Sequence, residues 1–339
     1  MILYLTEQGL KVSREGERLK LEIGHKKEEV RLAEVDQVVV FGRVSFTAPA
    51  LQTLLKRGIQ VHFLTLSGKY LGKLSTPFGK NIELRLHQFR TFHDPTRRIQ
   101  LARAFVHGKI HNQREYLVRQ KRRLGETSLE GPIFHLKRAL TELPAAKNVE
   151  EIFGIEGMAS RHYFEGLGTL LKRSGFEFRE RTRRPPRDPV NALLSLGYTL
   201  LLSRIWSLVE TAGLDPYLGF LHSPDYGKPS LVLDLMEEWR PVIVDTVVIR
   251  VLNWKTIKPE DFTQETFPDE EEPKEIQPVK LGRAGLKKFV KQFQERLKEE
   301  ALYPPRGKRF RYADILREQV YLLARVLKGE SPEYRPFMI

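Results

Sequence analysis

The chain has 339 residues, 41% of them hydrophobic and 29% charged, a globular balance with length for two domains of ordinary size. Its 57 Lys and Arg against 43 Asp and Glu leave a formal charge of +14, an excess that favours a polyanionic partner. With no cysteine, disulfides, thiolate zinc sites, iron–sulfur clusters and Cys nucleophiles are excluded.

The first segment, MILYLTEQGLKV, lacks the charged region, apolar run and cleavage site of a signal peptide, and a cytoplasmic location is expected. From there to about residue 75 the pattern is β-rich. MILYL, RLKLEI, EVRLA, VDQVVVF and VHFLTL are short apolar or alternating runs separated by Gly-containing turns. One helix interrupts them: Ala48-Pro49-Ala50 opens it, Leu51, Leu54 and Leu55 supply its apolar stripe, and Gly58 stops it. STPFGKN (75–81) reads as the linker. The expected organisation is α+β: a small β-rich domain over 1–78, then a larger all-helical domain over 79–339.

Helical periodicity governs the second domain. Ala102, Val106, Ile110 and Leu117 share a stripe within 98–124. Asp188-Pro189 is a helix start, with an Asp cap and Pro at the first helical position. The apolar run Ala192–Ser203 falls short of the ~20 residues that span a bilayer and reads as a buried helix. Residues 260–275 are acidic and carry Pro268 and Pro273, the composition of an exposed loop. A helix over 285–300, a basic loop YPPRGKRFRY and a last helix over 313–327 complete the chain.

Cations concentrate twice, in 85–123 and in 172–187. The plain reading of a charge run is a solvated face; two in one basic chain point to phosphate contacts. Neither G-x-x-x-x-G-K-[ST] nor G-x-G-x-x-G occurs. His107 and His111 have the i, i+4 spacing of a metal pair, but Gly108 and Lys109 stand where a zinc protease carries its Glu base, so they read as helix-surface histidines.

Three segments carry more chemistry. In FGIEGMASRHYFEGL (153–167), Ile155, Ala159, Tyr163 and Leu167 form a buried stripe, with Glu156 at its edge. His222 follows the run YLGFL and precedes a Ser-Pro-Asp-Tyr-Gly loop. In SLVLDLMEEWRP (230–241), Leu231, Leu235 and Trp239 take the buried stripe, leaving Asp234, Glu237 and Glu238 on other faces. Asp234 and Glu237 are i, i+3 neighbours, and two close carboxylates repel unless a cation, a proton or an Arg intervenes. Pairing with Arg240 or solvation is the plain explanation.

KIHNQREYL, and then in the family's order EGMASRHYF, RPPRDPVNALLSLGYTLL, GFLHSPDYGKPSLVLDLMEEWRP and the closing YRPF, resemble, over essentially the whole chain, the CRISPR-associated endonuclease/integrase family Cas-one, the spacer-acquisition enzymes. The resemblance implies three metal ligands, carried onto Glu156, His222 and Glu237, with Asp234 auxiliary. It implies Mn²⁺ or Mg²⁺, which suit two carboxylates and an imidazole with coordination positions left for water and phosphate. It also implies a homodimer formed through the N-terminal domains, a small partner protein Cas-two flanked by two such dimers, and protospacer and repeat DNA as substrates; a membrane is not implied. Arg114, Arg183 and Arg184 are candidate DNA contacts from charge clustering alone. Two other readings remain at this point: a non-catalytic nucleic-acid-binding adaptor with structural Glu and His residues, and a transposase-like nuclease. The β-first, α-later order disfavours the second.

Overall fold

The computed structural model describes residues 1–77, 79, 81–172, 174–182, 185–264 and 278–339. Eight strands come first: β1 (Ile2–Leu5), β2 (Leu10–Glu15), β3 (Arg18–Ile23), β4 (Lys26–Arg31), β5 (Gln37–Phe41), β6 (Val44–Phe46), β7 (Gln60–Leu64) and β8 (Tyr70–Leu74). Helix α1 (Ala48–Lys56) lies between β6 and β7, where the Ala-Pro-Ala opening and the Gly58 stop place it; Gly58 has φ 68°, a conformation that Gly adopts without strain.

The strands form two four-stranded sheets, ordered β1-β5-β7-β8 and β4-β3-β2-β6. The first sheet is parallel except for β8, and the second antiparallel except for β6. One core fills the space between them, with Leu3, Leu5, Val38, Val40 and Val61 meeting Val12, Leu19, Leu21 and Leu54. Every residue of β5 is buried, because its second face, through Val39 and Phe41, packs into the core of the helical region. This is the continuous apolar run expected of a parallel strand covered on both sides. Gln37 Nε2 also donates to Ser203 O at 2.9 Å across that boundary.

Helices follow: α2 (Ile82–His93), α3 (Pro95–Leu124), α4 (Glu130–Glu142), α5 (Val149–Leu171), α6 (Pro189–Ala212), α7 (Ser230–Met236), α8 (Thr246–Asn253), α9 (Arg283–Lys298) and α10 (Tyr312–Lys328). Asp188 caps α6 through Asn191 N at 2.9 Å. Helix α6 has 24 residues, so by length and composition it could cross a membrane, but 72% of its most apolar window is buried inside the protein.

The helical region is interrupted by two short strand pairs. β9 (Phe262–Thr263) pairs with β10 (Lys280–Leu281), and β11 (Glu300–Tyr303) with β12 (Lys308–Arg311). The second pair lies where a basic loop was expected. Gly307, at φ 61°, completes a tight turn that lets Ala301 and Tyr303, alternating along one strand, meet Phe310 of the other in a hairpin. Residues 265–277, most of the expected acidic loop, lie outside the described residues. Asp261, at its start, is buried and bound by the Lys288 ammonium at 2.8 Å.

Candidate active site

Four segments converge around Lys109. On α3, Ala102, Lys109, Gln113 and Tyr116 recur at heptad and half-heptad spacing and are all buried, so Lys109 occupies a core-facing position. On α5, Glu156 sits at the edge of the stripe that buries Ala159, Tyr163 and Leu167, as its sequence position implied. The Lys109 ammonium binds Glu156 Oε1 and lies 2.6 Å from Glu237 Oε2. Ser160 Oγ, one turn on from Glu156, donates to Glu156 Oε1 at 2.8 Å.

Glu237 caps the C-terminus of α7 and is 4% exposed. Arg240 Nε donates to Glu237 Oε1 at 3.0 Å. Burial alone would raise the Glu237 carboxyl, yet Arg240, Lys109 and His222 outweigh it and hold it down at about 2. Burial acts likewise on Glu156 and is likewise overcome, chiefly by Lys109. Burial would lower Lys109, but the two carboxylates prevail and raise it. The three groups are therefore ionised together: buried Glu237 and half-buried Glu156 around one ammonium.

Asp234, fully buried on α7, holds His222 in place. Its Oδ2 accepts from Phe220 N at 2.5 Å and Leu221 N at 2.9 Å. Its Oδ1 accepts from His222 N at 2.9 Å and His222 Nδ1 at 2.7 Å. An ionised carboxylate only accepts, so Nδ1 carries the proton and the lone pair sits on Nε2. The His222 ring also meets Phe153 of α5 edge-on, at 5.3 Å between centroids. Gly219 makes the approach feasible: a Cβ there would lie 2.7 Å from Asp234 Oδ2 and 2.8 Å from Ser230 O. Asp234 thus orders the loop that carries His222 and fixes the orientation of its ring.

Glu238 turns the other way. It accepts from Tyr334 Oη at 3.0 Å and Phe337 N at 2.9 Å, while Trp239 stacks on Phe337 at 4.9 Å. Adjacent glutamates therefore divide the work: Glu237 faces Lys109, and Glu238 anchors the closing YRPF segment. After Arg240 comes a π-helical turn (Arg240–Asp245), a rarity that recurs at functional sites. It brings Asp245 to Tyr163 Oη at 2.9 Å and Tyr198 Oη at 2.6 Å.

The remaining candidates are scattered. Arg114 Nη1 bonds its neighbour Glu115 at 2.5 Å, while Arg119, Arg122 and Arg123 are exposed on the last turns of α3. Arg183 and Arg184 lie outside the described residues. Arg98 and Arg103 bind the carbonyls of Phe220 and Ala146, so part of the basic concentration is structural. His107 and His111 stack at 6.2 Å on α3. Lys109, Asp245 and the two tyrosines were not singled out from sequence; the detectable signal was a lysine in register with Ala102 on the buried face.

Among the described residues no three His, Asp or Glu side chains are gathered as a ready metal cage. The donor chemistry nevertheless fits a hard divalent ion. Two carboxylates already surround a cation, and the His222 imidazole is oriented through Nδ1.

A β-sheet region followed by a helical region that gathers two carboxylates, a lysine and a positioned histidine is an α+β architecture to which comparison gives a family. The sequence matches the family model "CRISPR associated protein Cas1" over residues 3–295, and the chain belongs to that family. It is 38% identical over 342 residues to "CRISPR-associated endonuclease Cas1 3" of Thermus thermophilus, covering 100% of this chain and 97% of that one. Among solved structures, "Casposase bound to integration product" superposes with a TM-score of 0.84 at 25% identity, over 98% of this chain and 92% of that one. A chain of the "Cas6-RT-Cas1--Cas2 complex" gives 0.83 at 26% identity, over 99% of this chain and 36% of that one.

Proposed function

We propose that this protein is a divalent-metal-dependent DNA endonuclease and integrase of CRISPR adaptation, which joins protospacer 3′-OH ends to the CRISPR repeat and cleaves branched or linear DNA. The observation that carries the reading is the pair of ionised carboxylates, half-buried Glu156 and buried Glu237, around one cation, beside a histidine whose tautomer Asp234 sets. Family membership and the names of its similar relatives support it.

Glu156, His222 and Glu237 would hold Mn²⁺ or Mg²⁺. Such an ion polarises the scissile phosphate, neutralises developing charge and lowers the pKa of the attacking water or 3′-hydroxyl. The chain's own side chains do the rest. Asp234 keeps the imidazole lone pair on Nε2, Arg240 fixes the Glu237 rotamer, and Ser160 fixes Glu156. Exposed Arg119, Arg122 and Arg123, with Arg183 and Arg184, supply cations for the DNA backbone; Arg114, engaged by Glu115, is a weaker candidate. A homodimer through the β-rich domains belongs to the same proposal, as does assembly with Cas2, which the neighbour solved in the "Cas6-RT-Cas1--Cas2 complex" supports.

The test uses half-site and branched DNA with Mn²⁺, Mg²⁺ or chelator, comparing wild type with His222→Ala and Glu237→Ala. Metal-dependent cleavage or joining, lost in both variants while DNA binding survives, is expected. Wild type that binds DNA equally with and without metal and does no chemistry would make it an adaptor.

A further inference from the structure

A lysine aimed between two carboxylates that are meant for a divalent ion is an obstacle to that ion. Lys109 is 7% exposed, its stem is packed on the buried face of α3, and its ammonium meets both Glu156 and Glu237. Arg240 pairs with Glu237 from one side, but Lys109 is the cation that touches both carboxylates and offsets their mutual repulsion.

Behind Lys109 lies a cavity of about 20 Å³, lined among others by Lys109, Gln113, Ser160, Tyr198, Arg240 and Asp245. That is room for one water-sized group, and an ammonium is of that size. The Asp245 carboxylate, held by the hydroxyls of Tyr163 and Tyr198, supplies the negative charge there, beside the guanidiniums of Arg181 and Arg240 that also line the cavity. Lys109 already contributes to the field at Asp245. Lys109 and Asp245 thus line the same small cavity.

We infer that Lys109 is the resident counter-cation of the catalytic carboxylates, which a divalent ion must displace, and that the Asp245 cavity receives the displaced ammonium. This rests on the metal-dependent reading above. The lysine keeps the site assembled when no ion is bound and sets the threshold of ion concentration at which the enzyme loads. Its role is that of a positioning and gating residue, so removing it should help the ion bind while harming the ion-free protein.

The experiment measures Mn²⁺ affinity by calorimetry or by the electron paramagnetic resonance of free Mn²⁺, with melting in chelator and in saturating Mn²⁺. The proteins are wild type, Lys109→Met, Asp245→Asn, the double variant and His222→Ala, all purified in Mn²⁺ and then stripped. Lys109→Met is expected to bind Mn²⁺ about tenfold tighter or more, to melt below wild type in chelator, and to recover in Mn²⁺. Asp245→Asn should weaken Mn²⁺ binding when Lys109 is present and change little in Lys109→Met. Unchanged or weaker binding by Lys109→Met overturns the counter-cation role, and an equal effect of Asp245→Asn in both backgrounds overturns the receiving cavity. If wild type and His222→Ala bind Mn²⁺ alike or not at all, the metal site itself fails and the inference with it. A Lys109→Met protein that cannot be stripped without unfolding satisfies the stability expectation, and the wild-type-background Asp245→Asn titration still decides the cavity.

Discussion

Replacing Asp234 with Asn changes one atom and tests the whole loop that carries His222. The carboxylate takes four N–H donors, two on each oxygen: Phe220 N and Leu221 N on Oδ2, His222 N and His222 Nδ1 on Oδ1. An amide keeps one acceptor oxygen. Whichever way it turns, two donors lose their acceptor and face an NH₂ group instead. A buried donor left unsatisfied costs about 1–3 kcal/mol, so the substitution should destabilise by about 4 kcal/mol, a large share of the ~5–15 kcal/mol that holds a typical domain together.

The loss also falls on function through the imidazole. If the amide oxygen keeps Phe220 and Leu221, His222 Nδ1 loses its acceptor and the lone pair is no longer confined to Nε2. Disrupting such a support typically lowers metal affinity about 10–100-fold. Urea unfolding gives the stability change, and Mn²⁺ titration of the folded variant gives the affinity. A variant within about 1 kcal/mol of wild type, with unchanged Mn²⁺ affinity, would refute the claim that Asp234 organises the loop and the histidine.

Phe337→Ala removes a ring that is 3% exposed and stacked on Trp239; a loss of about 3–5 kcal/mol is expected in denaturant unfolding, and a neutral variant would mean that the closing segment is not part of the core. Asp245 gives a pH dependence. Burial, opposed by the tyrosine hydroxyls, pushes its carboxyl from 3.8 to about 6. Between those values the unfolded chain has released a proton that the folded chain keeps. This group's contribution is therefore complete below pH 3.8 and lost as pH rises through 6, about 3 kcal/mol in all. Asp245→Asn should flatten that part of the profile, measured as urea midpoints from pH 4 to 7; parallel profiles for the two proteins would contradict the assignment.

The order of strands before helices was legible because the apolar runs of β1, β5 and β7 are short and uninterrupted, and because Asp188-Pro189 and Gly58 mark helix ends chemically. Strand β4, KKEEVR, is an edge strand with almost no buried residue, so alternation says little about it. The short β6 owes its place to parallel pairing with β2, a distant partner that local pattern does not reveal. Asp234, Glu237 and His222 were legible from their segments and the family resemblance. Lys109 was counted with the cations of a basic stretch, because a charge near arginines looks solvated until the helix face it occupies is known. Its place on the Ala102 face distinguishes it from Arg119 and Arg122.

One helix register organises both sides of the Glu237-Glu238 pair. Three residues after Lys109, on the same buried side of α3, Asn112 donates through Nδ2 to Glu238 O at 2.9 Å and Phe337 O at 2.8 Å, and accepts from Ile339 N at 2.9 Å. Just before Lys109, Gly108 lets Pro336 approach, where an added Cβ would lie 2.5 Å from Pro336 Cβ and 3.2 Å from Glu238 Cβ. The final segment is thereby wedged between α3 and Trp239, and Glu238, held by Tyr334 and Phe337, fixes the backbone from which Glu237 reaches Lys109. Side-chain freedom is what a displaceable cation needs, and backbone rigidity is what its carboxylate partners need. The structure assigns the first to the Lys109 stem and its neighbouring cavity, and the second to the clamp made by Asn112, Gly108 and the YRPF segment.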